Sequence, residues 1–198
     1  MLMDKAPVSR QERNKSARAY LRLLDGHHPG EEAHAQRVAV YAVAIGHHLG
    51  MDADELVTLK EAALLHDLGK LSVDPSLLSK KDAFTNEDLH AVQMHSILFS
   101  QTQRPAFLEP CAPMIRHHHE RWDGHGYPDG LHGDEIPLGA RILAVAESFD
   151  AICHGVGWRK PVHEEDAVLE IKKASGTQFD PDVIEAFLAI QTLIQPLI

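Results

Sequence analysis

Residues Ile115 to Gly130 read IRHHHERWDGHGYPDG, and in them an apolar helix gives way to a loop. A run of three histidines, His117, His118 and His119, is a poor helix interior and needs another purpose. Together with Glu120 it offers either a metal-binding group or an exposed polar helix end. In the loop, Gly124 and Gly126 let the backbone come close to a ligand or a neighbouring element. Tyr127-Pro128 adds a rigid, amphipathic wall.

Outward from this stretch the chain reads as helices. A helix is predicted over Glu109 to Glu120, with Pro110 near its start, then a Gly- and Asp-rich loop from Trp122 to Pro137, then a long apolar helix from Leu138 to His154. Toward the N-terminus, Thr85 caps a helix carrying Leu89, Val92, His95 and Leu98. Ser72 to Asp82 is expected to be a loop around Pro75. Asp52 or Asp54 starts a helix that runs into His66-Asp67, and Glu31 to Leu49 shows apolar residues at helical spacing, closed by Gly50. Ser9 and Glu12 form a capping box for a first helix to about Leu24. Two helices, Glu164 to Ser175 and Pro181 to Ile194, complete the chain. No hairpin pair, repeat or low-complexity tract interrupts the series, so the fold class is all-α. Residues 1–29 read as an N-terminal helical extension and 30–198 as the main domain.

The 198 residues suffice for a sizeable core, and 44% of them are hydrophobic. The formal charge of −10 argues against a grip on a nucleic-acid polymer. A small anionic ligand stays compatible, because bound cations reverse a local field. Two cysteines, Cys111 and Cys153, argue against a disulfide framework. No apolar run is long enough for a membrane span, and the start lacks a signal-peptide core; a cytoplasmic location is expected. The 15 histidines are evidence only through their positions.

Four further places carry chemistry. His66-Asp67 reads either as a solvated pair closing a helix or as a nitrogen and a carboxylate turned toward one centre. His34 lies one turn into an apolar helix, as a satisfied core histidine or as a ligand. His95 shares a face with Val92 and Phe99, toward the core. Glu147 and Asp150 share one face of an apolar helix, where burial needs a neighbouring cation.

These strings together resemble the HD-GYP branch of the HD phosphohydrolases. The matching residues are His34-x-x-Arg37-Val38, His66-Asp67-x-Gly69-Lys70, His95, His118-His119-Glu120-Arg121-Trp122-Asp123-Gly124-x-Gly126-Tyr127-Pro128, Gly133 to Pro137, Arg141-Ile142-Leu143, Phe149-Asp150-Ala151 and Gly176-x-x-Phe179-Asp180-Pro181. They span about Gly30 to Phe187. The resemblance implies an HD-domain helical bundle and hydrolysis of cyclic di-GMP to linear pGpG and on to GMP in some members. It places His66, Asp67, His95, His118, His119 and Glu147 at metal-ligand positions, with Asp67 as the bridge. Asp67 and Lys70 take catalytic positions; His34, Arg37, Lys70, Tyr127 and Arg159 are expected near the substrate. Two divalent ions are expected, iron or manganese, with magnesium, nickel and zinc as alternatives. The implied reaction is attack by a hydroxide bridging the two metals.

Departures from the family pattern keep other readings open. Glu147 stands where aspartate is usual. Gly30 stands where members with three metals carry a glutamate; Glu31 and Glu32 are near, in another phase. Val156 replaces an arginine of a phosphate-holding stretch in which Arg159 remains. A weakened module that binds cyclic di-GMP or a signalling partner such as a diguanylate cyclase, and a phosphohydrolase for another nucleotide, are the competing readings. The first helix is a candidate for partner or homodimer contact.

Overall fold

The structure is a computed structural model that describes residues 8–101, 105–155 and 160–194. Its α-helices are α1 (Arg10–His27), α2 (Glu31–His48), α3 (Ala53–Leu65), α4 (Pro75–Leu78), α5 (Asn86–Gln101), α6 (Ala112–His117), α7 (Leu138–His154), α8 (Glu164–Lys173) and α9 (Pro181–Ile194). Short 3-10 turns cover Leu68–Ser72, Ala106–Cys111 and Gly133–Glu135. No strand occurs among the described residues, as the all-α expectation required.

The helix starts follow from their caps. Ser9 and Glu12 make the expected reciprocal box on α1, and Asp52 and Glu55 make another on α3. Two expectations change. The predicted loop from Ser72 to Asp82 contains α4, because Asp74 accepts the Ser76 N–H and Pro75 occupies the first helical position. The predicted helix from Glu109 to Glu120 is a 3-10 turn followed by the short α6. Pro110 and Pro113 each lack a backbone donor, which turns the start of the expected helix into a 3-10 turn and puts Pro113 in the first turn of α6; α6 ends at His117, so His118, His119 and Glu120 lie beyond it.

α7 runs through the centre, with Ile142, Leu143, Val145, Ala146 and Phe149 fully buried. α2 packs against α3 on one side and α7 on the other. The ring of Phe149 meets Tyr41 of α2 and Phe187 of α9 edge-on, at 5.0 and 4.9 Å between centroids; burying a ring of this size is worth roughly 1.5–3 kcal/mol. α1 packs on α2, α3 and the turn at Leu68–Ser72, burying Ala17, Leu21 and Leu24. Arg13 forms an ion pair with Glu61 of α3, and His27 Nε2 lies 2.8 Å from the Val73 carbonyl. No described helix is long and apolar enough to cross a membrane.

Gly69 sets the approach that matters for the site. A Cβ there would lie 1.9 Å from the carbonyl oxygen of His95. Only glycine lets the chain after Asp67 press against the backbone of α5, which brings His95 up to Asp67.

Candidate active site

The end of α3, the middle of α5, the turn after α6 and the centre of α7 deliver four histidines and two carboxylates to one place. His66, Asp67, His95 and His118 are all at most 2% exposed. His66 Nδ1 lies 2.8 Å from the Ala63 carbonyl, His95 Nδ1 2.6 Å from Val92 and His118 Nδ1 2.6 Å from Ile115. In each case the acceptor is the carbonyl three residues back. A carbonyl only accepts, so each Nδ1 carries a proton, and in the neutral form of each ring the lone pair is on Nε2. His119 joins from the other side, its Nε2 3.2 Å from His95 Nε2.

Asp67 sits between two such groups. Its Oδ2 is 3.2 Å from His66 Nε2 and 3.9 Å from His34 Nε2, while its Oδ1 is 3.4 Å from His95 Nε2. The donor atoms of His34, His66 and Asp67 lie within 4.8 Å of one another, and so do those of His95, His118 and His119. Glu147 Oε2 approaches His118 Nε2 at 3.8 Å and His119 Nδ1 at 4.0 Å.

Electrostatics separate these groups. Burial, reinforced by the neighbouring imidazoles, keeps His118 and His119 well below the ordinary histidine value, and burial lowers His95 as well. Burial also works against charge on His66, but the Asp67 carboxylate outweighs it and raises the imidazole to about 9. Burial opposes the Asp67 anion too, yet Lys70 and His66 hold it well below the usual carboxylate range. Glu147 is raised by burial.

The residues fit a divalent cation. Buried His66 Nε2 and Asp67 Oδ1 have no hydrogen-bond partner among the described residues, an expensive state for polar atoms unless something else satisfies them. Imidazole nitrogens with the far nitrogen anchored on a carbonyl, beside carboxylate oxygens, form a donor set for such ions. These His and Asp groups can hold a divalent metal.

The other expected residues take definite places. His34 Nδ1 meets Asp150 Oδ2 at 2.7 Å, which aims its Nε2 at Asp67. Arg37 makes a two-pronged ion pair with Asp150 and also lines a cleft of about 290 Å³ with Glu31, His34 and Lys70. Lys70 Nζ donates to Asp67 Oδ2 at 2.7 Å and to Glu31 Oε1 at 3.0 Å. Tyr127 stacks on His119 with centroids 4.8 Å apart and walls a second cleft of about 390 Å³. Glu147 borders both clefts. Arg159 and Val156 lie outside the described residues.

The loop bearing Tyr127 is built from beneath. Buried Glu120 accepts the N–H groups of Asp129, Gly130 and Leu131 at 2.7, 3.1 and 3.2 Å. Gly126 packs so closely that a Cβ would lie 2.3 Å from the Arg121 nitrogen. The Trp122 and Asp123 N–H groups donate to the Gln178 and Thr177 carbonyls, so the Gly176–Phe179 turn braces the loop from its far side.

Three further histidines have carboxylate partners. His28 Nδ1 meets Glu31 at 2.6 Å, His117 Nε2 meets Asp129 at 2.9 Å, and His154 Nδ1 lies 3.2 Å from Asp150 Oδ1. Glu31, which sequence spacing left outside the site, is buried and bonded to Lys70.

Residues 18–183 match the HD domain family. The chain belongs to that family. It is 36% identical over 162 residues to a cyclic di-GMP phosphodiesterase of Thermotoga maritima, covering 80% of this chain and 44% of the relative. It is 32% identical over 159 residues to a 3′3′-cGAMP-specific phosphodiesterase 2 of Vibrio cholerae, covering 79% and 30%. The chain therefore spans less than half the length of these curated relatives. Among solved structures, an HDG"Y"P protein from Bdellovibrio bacteriovorus superposes with a TM-score of 0.67 at 19% identity, covering 92% of this chain and 64% of the other; that likeness shows the shared HD-domain fold.

Proposed function

We propose that this chain is a metal-dependent phosphodiesterase that opens cyclic di-GMP to linear pGpG. One observation carries the reading: Asp67 turns its two oxygens toward two separate imidazole groups, and Glu147 of the same cluster borders both clefts. That is a site for two cations, iron or manganese, held by His66, Asp67, His95, His118, His119 and Glu147. Bound there, they supply Lewis acidity to a phosphodiester and a lowered pKa to water.

The protein's own residues do the rest. The anchored Nδ1 atoms keep the imidazoles facing inward without reorganisation. Lys70 presents an ammonium at the edge of the cluster, where it stabilises negative charge on a phosphoryl oxygen. Asp150 orients His34. Tyr127 closes one side of the cleft against His119. Two clefts on either side of Glu147 suit a ligand with two nucleotide halves.

The names of the relatives favour a second substrate reading, 3′3′-cGAMP, for the same site. Both are tested on purified protein loaded with iron(II) or manganese under reducing conditions, with product and metal content measured on one sample. Linear dinucleotide from cyclic di-GMP at the higher kcat/KM supports the first reading, and preference for 3′3′-cGAMP selects the second. Bound metal with neither product overturns both and leaves a binding module.

A further inference from the structure

We infer that Glu31 is a positioning residue for Lys70, tying its ammonium through His28 to the α1–α2 junction; the inference rests on Lys70 acting at the phosphate as proposed above. Glu31 opens α2 and is 5% exposed. Its Oε1 accepts from Lys70 Nζ at 3.0 Å and meets His28 Nδ1 at 2.6 Å. Its Oε2 is buried and meets no donor among the described residues.

Two ordinary roles for a first-turn glutamate are already filled. The N–H groups of Gly30 and Glu32 donate to Asp25 Oδ1 at 2.9 and 3.2 Å, so the start of α2 has its cap. Half-buried Glu32 supplies a negative charge near the same helix end. A buried carboxylate with one oxygen unmatched is a liability to folding. Its compensating feature is the direction it gives Lys70: with Asp67 alone the ammonium could swing about one contact, whereas two carboxylates on different elements fix it. His28, Glu31, His34 and Lys70 line the same cleft, so the chain of contacts borders the space where substrate would lie.

The test is a double-mutant cycle on the metal-loaded full chain, with Glu31→Leu, Glu31→Gln, Lys70→Ala and Glu31→Leu/Lys70→Ala, reading kcat and KM for cyclic di-GMP and the thermal midpoint. Glu31→Leu should lower kcat roughly 10–100-fold with KM within about threefold. Glu31→Gln, which still offers an acceptor oxygen, should fall between Leu and wild type. In the Lys70→Ala background Glu31→Leu should change kcat less than about twofold, and its thermal midpoint should not drop below that of wild type. An unchanged kcat in Glu31→Leu, or an equal loss in the Lys70→Ala background together with a lower midpoint, overturns the inference and leaves a structural residue. Failure of the underlying reading shows separately, as wild-type protein with bound metal that opens no cyclic dinucleotide; the inference then falls with it.

Discussion

Arg37 closes on Asp150 with two prongs, Nε to Oδ1 at 2.6 Å and Nη2 to Oδ2 at 2.9 Å. Asp150 is 1% exposed and takes His34 on the same Oδ2. Arg37 is thus the counter-charge that lets a carboxylate sit under the site, in addition to lining the cleft. Arg37→Leu leaves that charge with only its contacts to His34 and His154, and thermal or urea denaturation should register a loss on the order of 3 kcal/mol. Lysine, a point charge without the planar fork, should restore only part of it. Stability equal to wild type in Arg37→Leu would show that Asp150 does not depend on the guanidinium.

Glu120 makes a different prediction, because among the described residues its carboxylate bonds to backbone N–H groups of the loop. Its carboxylate gathers three consecutive backbone N–H groups under the loop that carries Tyr127. Glu120→Ala orphans all three and should cost about 2–3 kcal/mol in urea unfolding. Tyr127 would lose its fixed position over His119, so KM should rise by more than kcat falls. A variant with normal KM would separate the loop from substrate binding.

How much of this was readable in advance depended on whether the cause was local. The α1 start was visible because its capping box lies within four residues, the α3 start was narrowed to Asp52 or Asp54, of which Asp52 is the cap, and α7 ran as expected from Leu138 to His154 between Pro137 and Gly155. The fold class followed from apolar spacing. His66-Asp67 and His118-His119 stood out because they are adjacent in sequence. What brings them together did not: the contact of Gly69 with His95 joins α3 to α5, and no local pattern encodes it. Arg37 and Asp150 are 113 residues apart, so their pairing was equally hidden. The spacing of His154 four residues after Asp150, by contrast, was a readable helical pair. Glu31 was placed only by its offset from the position that Gly30 fills, and its bond to Lys70, 39 residues away, has no local signal. The helix expected from Glu109 opens as a 3-10 turn for a local reason, Pro110 and Pro113, whereas its end at His117, three residues short of Glu120, has no such local signal.

The donor set predicts how metal and activity fall together. His118→Ala or Asp67→Ala should lower bound metal and hydrolysis in parallel, by at least about 10-fold in affinity. A chelator should remove activity from wild-type protein, and added manganese or iron(II) should restore it. Glu147→Gln keeps the size but removes the charge near His118 and His119, so it should weaken metal retention while leaving the helix intact by circular dichroism. Retained metal with full turnover in Glu147→Gln would exclude Glu147 from the ligand set.

Asp129 gives a pH dependence whose sign can be worked out. Arg116 donates to both of its oxygens at 2.8 Å and His117 Nε2 lies 2.9 Å away. Arg116 first and His117 second pull the carboxyl from 3.8 down to about 2 in the folded chain. Between those values the unfolded chain binds the proton and the folded chain does not, so stability rises with pH across that window. The contribution is complete above about pH 4 and disappears as pH falls through about 2. The carboxylate is 37% exposed, so solvent screens the pair and the increment is small. Subtracting the thermal midpoints of Asp129→Asn from those of wild type, from pH 5 down to the lowest pH at which both refold, isolates this limb from the other carboxylates. The difference should shrink as pH falls. A difference that stays constant would mean that Asp129 contributes through its hydrogen bonds alone and that its charge adds nothing.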